Sequence, residues 1–287
     1  MKLKNKYLIE FIVFVSGAVV MVFEIAGSRV MGPYLGTSTF VWTSLIGIIL
    51  GSLSLGYYLG GHMADKAPNM QRLSNILFIS AILVAFTILI KDSFLIYLQD
   101  RIPDVRRGSV VASTVLFAPT SVLLGMVSPY AVKLKMDNLK SSGTTVGNLY
   151  ALSTVGSIFG TFFAGFYLIP TFGTNRILIL LTATLVLLSV IASAKHLFKL
   201  KLPVIFILGF AWFVSTTMMT ARAETEGFYD VDSSYNRIWV YDVADSRYGK
   251  NIRNMKVNNE NSSAMFLDKD GLVYEYTKYY HLAKHFN

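Results

Sequence analysis

The sequence predicts an α-helical polytopic membrane bundle of about seven spans, followed by a small soluble segment of β-hairpins and one helix. Apolar residues make up 53% of the 287 positions and charged residues 15%, which is too apolar for a soluble domain of this length. Apolar windows of about 20 residues, enough to span the hydrocarbon of a bilayer, recur along the chain. They begin near Tyr7, Ser38, Ser74, Ser109, Thr145, Arg176 and Leu202.

The distribution of basic residues predicts a cytoplasmic N terminus in the cell membrane. With that orientation, eleven Lys or Arg residues lie on the cytoplasmic side of residues 1–220 and five on the other side, the asymmetry typical of membrane proteins. The net charge of +9 therefore reflects topology, and we expect the lipid bilayer rather than nucleic acid as the partner. The first window is too long for a removable signal peptide and is interpreted as a retained helix.

The cysteine and histidine content limits the kinds of metal and catalytic site that the chain can form. The chain has no cysteine, which excludes disulfides, thiolate metal sites and thiol catalysis. Of the four histidines, only His281 and His285 share a helical spacing, and we expect surface positions for both rather than a metal site. No serine-centred elbow and no phosphate-binding loop is found.

Residues 221–287 form a region of different composition, with nine basic and ten acidic residues. Alternation over residues 235–243, a second extended run at 252–257 and a third at 262–267 predict strands. A short amphipathic helix is predicted from Leu272 onward. This region is too small to bury enough apolar surface for a stable independent domain. We therefore divide the chain into a transmembrane domain, 1–220, and an incomplete β-region, 221–287.

Small residues at helical spacing predict close helix packing within the bundle. They are Ser52, Gly56 and Gly60 in the second span, and Gly156, Gly160 and Ala164 in the fifth. Such rows let helix backbones approach where lipid supplies no hydrophobic drive. A second row in the fifth span, Ser153, Ser157 and Thr161, offers hydroxyl groups to a neighbour. We expect these two helices to be central.

Two similar tripeptides suggest an internal repeat. The tripeptide GPY, residues 32–34, is interpreted as the end of the first span, and SPY, residues 128–130, as the end of the fourth. With three spans per unit, the second unit would enter the membrane in the opposite sense, which is the inverted repeat common in transporters. Coincidence between two proline helix stops is the alternative.

Glu24 and Arg29 are ionisable residues near the far end of the first span. Five positions correspond to about 140 degrees of rotation on a helix, so the two side chains should not pair while the helix stays regular. Either the helix loosens near Pro33, or Glu24 bonds to another span while Arg29 extends to the headgroups. We also consider a role for Glu24 in ligand or proton handling.

GGHMADK, residues 60–66, lies at the cytoplasmic end of the second span. It resembles the loop motif that places an Asp between the second and third helices of major facilitator transporters. Asp65 is therefore a candidate functional residue, with a plain loop residue or a helix cap as the alternatives.

Taken together, the motifs resemble one family, the membrane-embedded spermidine synthase-like proteins. The segments that carry the resemblance are EIAGSRVMGPYLGTSTFVW, LGYYLGGHMADK and VGNLYALSTVGSIFGTFFAGFYLIPTFG. The third is the most specific and adds Asn148 and Tyr150 to the intramembrane polar candidates. SSYNRIWVYD and DGLVYEYTKYYHL are similar to the opening strand and the first helix of the synthase domain.

The resemblance implies a polyamine aminopropyltransferase. In that family an aminopropyl group passes from decarboxylated S-adenosylmethionine to a diamine such as putrescine. By resemblance, Tyr235, Asn236 and Tyr274 are substrate-binding, although Asn236 stands where the family has Gln. The glycine-rich nucleotide-binding turn and the catalytic Asp are expected beyond residue 287, so we expect no catalysis and no bound cofactor from this chain alone.

Three functions stay open on the sequence alone. The first is the membrane domain of a spermidine synthase-like protein, whose catalytic domain follows in a longer chain or is supplied by a separate polypeptide. The second is a transporter of polyamine or another small cation. The third is a non-catalytic anchor or regulatory subunit. Seven spans would put residues 221–287 outside the cell, whereas an interfacial or re-entrant seventh window would return them to the cytoplasm.

Overall fold

The structure, a computed structural model, combines a helical bundle with one antiparallel sheet of four strands. It describes residues 7–136, 142–193, 228–233, 236–245, 249–258 and 260–279, together with positions 202 and 209. The predicted seventh window lies outside the described residues apart from those two positions, as do Tyr235, His281 and His285.

The bundle contains eight α-helices and one π-helical segment within the described ranges. They are α1 (Leu8–Leu35), α2 (Thr39–Lys66), α3 (Met70–Arg101), α4 (Val105–Leu116), α5 (Ala118–Lys135), α6 (Ser142–Phe163), the π-helix Ala164–Leu168, α7 (Ile169–Thr171) and α8 (Thr174–Ala192). Five of these stretches are long and apolar enough to cross a membrane, or six if the bent pair of α4 and α5 is one span. The prediction of a membrane-type helical bundle is therefore confirmed, with five or six spans among the described residues.

Prolines shape the helices differently from the sequence prediction. The window predicted from Ser109 is broken at Phe117, where α4 and α5 meet at 52°, because Pro119 in the first turn of α5 has no N–H to continue the helix. GPY lies in the last turn of α1, which ends at Leu35. Gly36 follows with a φ of +80° and its N–H bonded to Gly32 O at 2.9 Å. SPY does not end the fourth span, because α5 continues through Pro129 to Lys135.

The long helices pack in pairs, α1 with α6, α2 with α5 and α3 with α8. A methyl group added to Gly160 would lie 2.7 Å from the Cα atom of Ala18, and one added to Gly60 would lie 2.6 Å from the Cα atom of Met126. The predicted close packing at small residues is thus confirmed. The prediction that these two helices are central is wrong. Only 33% of the most apolar window of α2 and 22% of that of α6 are buried, against 56% of that of α3.

Polar contacts tie the helices at the end of the bundle where α1 begins, here called the N-terminal end. Asp65 and Lys133 form an ion pair at 2.7 Å, and Glu10 pairs with Lys135. The Tyr130 hydroxyl, within the SPY tripeptide, donates to Ala67 O at 2.9 Å. The opposite end, where α1 and α3 finish, is called the distal end.

The sheet comprises β1 (Tyr229–Asp232), β2 (Arg237–Asp245), β3 (Lys250–Val257) and β4 (Glu260–Phe266), in the order β1-β2-β3-β4. The three predicted strands are confirmed in position, whereas β1 is too short to stand out in the sequence. The predicted helix from Leu272 begins later, because Leu272 forms a bridge with Met265 and the described helix α9 covers Glu275–Lys278.

Candidate functional site at the junction of bundle and sheet

Arg237, the first residue of β2, joins the sheet to the distal end of the bundle. Its Nη1 donates to Asp92 Oδ1 of α3 at 2.8 Å and to the Tyr34 hydroxyl of α1 at 3.1 Å. Its Nε and Nη2 donate to the two carboxylate oxygens of Asp230 at 2.9 and 2.6 Å. Lys91 Nζ and the Tyr34 hydroxyl each donate to Asp92 Oδ1 at 2.7 Å. We call Arg237, Asp92, Asp230, Tyr34 and Lys91 the clamp.

The clamp is a largely buried and charge-balanced network. The side chains of Lys91 and Arg237 are 3% and 10% exposed, and those of Asp92 and Asp230 are 23% and 21% exposed. Two cations face two carboxylates, as required because a buried unpaired ion is costly. Burial by itself would lower the pKa of Arg237, but Asp230 and Asp92 outweigh it and raise that pKa above its ordinary value.

Aromatic packing accompanies the clamp on the same face of the sheet. Trp239 lies two residues after Arg237, so both side chains point towards the bundle. Its ring packs against Tyr34 with centroids 5.6 Å apart, and the Arg237 guanidinium lies 5.2 Å from the Trp239 centroid. Trp239 is 9% exposed and belongs to the main hydrophobic core. Sheet and bundle therefore share one core at this junction.

Arg29 also contacts the β-region. Its Nη2 donates to O of Ser233, the residue after β1, at 2.9 Å. As predicted, Arg29 and Glu24 do not pair. Glu24 is half-buried, and among the described residues its carboxylate makes no hydrogen bond or ion pair, so the expected bond to another span is not observed.

A polar cleft of about 520 Å³ opens beside the clamp, between the turn that joins α1 to α2 and the β3–β4 hairpin. The bundle contributes Gly32, Gly36 and Thr37. The sheet side contributes Asn236, Val257, Asn258, Glu260, Asn261, Ser262 and Tyr276. Among these lining residues Glu260 is the one charged side chain, and none is basic. The cleft therefore offers mainly neutral amides and hydroxyls together with a single carboxylate.

Asn258 organises the wall of the cleft. It has a φ of +52°, in the left-handed region that asparagine tolerates better than most residues. Its Nδ2 donates to Asn236 Oδ1 at 2.7 Å, and its Oδ1 accepts the backbone N–H of Arg237 at 3.0 Å. These bonds fix two of the cleft amides relative to the clamp.

The sequence-predicted binding residues divide between the cleft and other positions. Asn236 lines the cleft. Tyr274 instead donates its hydroxyl to Asn254 Oδ1 at 2.9 Å and packs against the small core of the sheet. Tyr276, two residues further on, is the tyrosine that lines the cleft. Sequence reasoning missed Glu260 and Asn258, because a polar run between two strands is typical of any hairpin turn.

The remaining intramembrane candidates do not join the cleft. Asp65 lies in the last turn of α2 and pairs with Lys133 at the N-terminal end. Asn148 and Tyr150 lie on an exposed part of α6. A second cavity of about 420 Å³ lies between α3 and α8, and its lining is almost entirely apolar. The polar candidates therefore occupy separate parts of the bundle.

The chain was compared with family models, curated protein sequences and solved structures, and none of the three comparisons found a match. The likeness to spermidine synthase-like proteins therefore rests on the sequence motifs alone.

Proposed function

We propose that the chain is the membrane domain and docked β-region of a spermidine synthase-like protein, and that its cleft binds a small organic amine of the polyamine class. The observation that carries the proposal is the lining of the cleft, in which Glu260 is the one charged side chain among the described residues and the other polar side chains are neutral. Asn236, a substrate-binding residue by resemblance, forms part of that lining. The bundle holds the sheet in one orientation through the clamp.

The chemistry of the lining matches an alkylammonium group. Such a group has three donors and no acceptor, so it is satisfied by amide and hydroxyl oxygens and by a carboxylate. The Glu260 carboxylate supplies the charge-assisted bond, and the ring of Tyr276 provides a face for a cation. We assign no catalytic step to this chain. Decarboxylated S-adenosylmethionine would be a co-substrate only with a catalytic domain, in the same or a separate polypeptide.

Calorimetry with putrescine tests the proposal on the detergent-purified chain. We expect Glu260→Gln to weaken binding about tenfold to a hundredfold, because a hydrogen bond to a charged group contributes roughly 1.5–3 kcal/mol. Asp270→Asn is the matched control, since it removes an equal charge from an exposed turn outside the cleft. Equal affinities for the wild type and Glu260→Gln, or no binding by the wild type, would refute the proposal.

We further propose that the N terminus is cytoplasmic in the cell membrane and that the sheet lies on the opposite side. The β-region contacts the distal end of the bundle through Arg29 and Arg237. The pairing of α1 with α6 and of α2 with α5 supports two inverted units of three spans. Single cysteines at Lys66 and Asp270 should be labelled from opposite sides of the membrane, and labelling from one side would contradict this topology.

Transport of a small cation is the second candidate, and Glu24 favours it. Glu24 is half-buried in a membrane helix, and its carboxylate makes no hydrogen bond or ion pair with the described residues. A carboxylate within a membrane is characteristic of ion and proton pathways. If this candidate is correct, Glu24→Gln abolishes uptake of putrescine into proteoliposomes, whereas Asp100→Asn at the exposed end of α3 leaves it unchanged. Unchanged uptake in Glu24→Gln would count against it.

A further inference from the structure

The cleft has walls from two separate parts of the fold. Gly32, Gly36 and Thr37 belong to the bundle, whereas Asn258 and Glu260 belong to the sheet. A cleft of this kind exists only while the sheet is docked. A ligand that contacts both walls therefore binds the docked arrangement in preference to the undocked one.

The clamp joins the same two chain segments that form the cleft. Arg237 of the clamp directly follows Asn236 of the cleft, and Tyr34 of the clamp lies between Gly32 and Gly36. Any shift of Arg237 relative to Tyr34 must therefore alter the separation of the two cleft walls.

Two hydrogen bonds to the backbone of Arg237 connect clamp and cleft directly. The Arg237 N–H donates to Asn258 Oδ1 at 3.0 Å, and the Asn258 N–H donates to Arg237 O at 2.8 Å. Asn258 in turn holds Asn236 through its side-chain amide at 2.7 Å. The position of two cleft amides thus depends on where the clamp holds Arg237.

We propose that closure of the clamp and occupation of the cleft are coupled, with Asp92 and Arg237 acting as positioning residues for an amine bound in the cleft. This inference rests on the proposed amine-binding function. Because linkage is reciprocal, the factor by which docking strengthens binding equals the factor by which the ligand strengthens docking. Asp92 affects the cleft without lining it.

Putrescine affinity in the full chain measures the coupling. Asp92→Asn should weaken binding about tenfold or more, within the usual range of coupling between sites. Asp242→Asn is the matched control, since Asp242 forms an exposed ion pair with Arg253 at 2.7 Å on the same sheet. Should Asp92→Asn fail to fold, Tyr34→Phe removes only a hydroxyl from the clamp and should also weaken binding, unlike Tyr97→Phe at an exposed position.

Spin labels measure the reciprocal effect. The chain has no cysteine, so Arg107→Cys and Asp270→Cys place one label on the bundle and one on the sheet. Asp92→Asn should broaden the distance distribution, and putrescine should narrow it again. If Glu260→Gln weakens binding while Asp92→Asn and Tyr34→Phe do not, the coupling is wrong and the proposed function stands. If the wild type binds no putrescine, both fail.

Discussion

Replacement of Asp92 by asparagine tests how strongly the clamp holds the sheet. Asp92 accepts bonds from Lys91, Tyr34 and Arg237, all at Oδ1. Removing one partner from a buried ion pair costs about 3–5 kcal/mol. The low end, about 3 kcal/mol, applies because the Asp92 side chain keeps 23% exposure and asparagine still accepts one bond. This cost corresponds to roughly a hundredfold rise in the undocked population.

Hydrogen exchange of the sheet amides provides the assay. The described sheet is too small to persist alone, so its amides should exchange when it leaves the bundle. In Asp92→Asn, we expect Trp239 and Val240 in β2 to exchange roughly a hundredfold faster than in the wild type. The amides of α2 should be unchanged. Equal exchange of β2 in both proteins would refute the assigned role of the clamp.

Three further predictions concern the bundle, each measured as the free energy of unfolding in detergent by circular dichroism. Gly156→Ala should destabilise the chain, because the added methyl group would lie 2.8 Å from the carbonyl carbon of Phe14, whereas Gly147→Ala on the same helix meets no atom within 4 Å. Tyr130→Phe should cost about 1–2 kcal/mol, since the hydroxyl bonds to the loop after α2. Asp65→Asn should change stability by less than about 1 kcal/mol, because its ion pair is solvent-exposed.

Each of these predictions has a contrary outcome. Equal stability of Gly156→Ala and Gly147→Ala would mean that α1 and α6 are not in backbone contact. A neutral Tyr130→Phe would show that water replaces both hydrogen bonds at the N-terminal end. A loss of several kcal/mol in Asp65→Asn would indicate a desolvated ion pair, contrary to the 68% exposure of the Asp65 side chain.

Hydropathy predicted the helices well because each span must satisfy its own backbone in lipid. The ends of the helices and the breaks within them were harder to predict, since they depend on local backbone geometry. Gly36 ends α1 through a positive φ, whereas Pro33 is tolerated in the last turn. The π-helix before Pro170 likewise has no hydrophobic signature.

The junction of bundle and sheet was beyond prediction from local patterns. Arg237 and Asp92 are separated by 145 positions, so only the packing of β2 against α3 brings them together. The strand pattern placed Arg237 correctly on β2, and the family resemblance singled out Asn236. Neither observation indicated that a turn of the membrane bundle would form the second wall of the cleft.

Photo-crosslinking with a diazirine derivative of putrescine locates the bound amine. We expect adducts in both walls of the cleft, at Gly32, Gly36 and Thr37 on the bundle and at Val257, Asn258 and Glu260 on the sheet. Excess putrescine should prevent these adducts, and Glu260→Gln should reduce them. Adducts confined to the groove between α3 and α8, or to the helix segment around Glu24, would contradict an amine site at the junction of bundle and sheet.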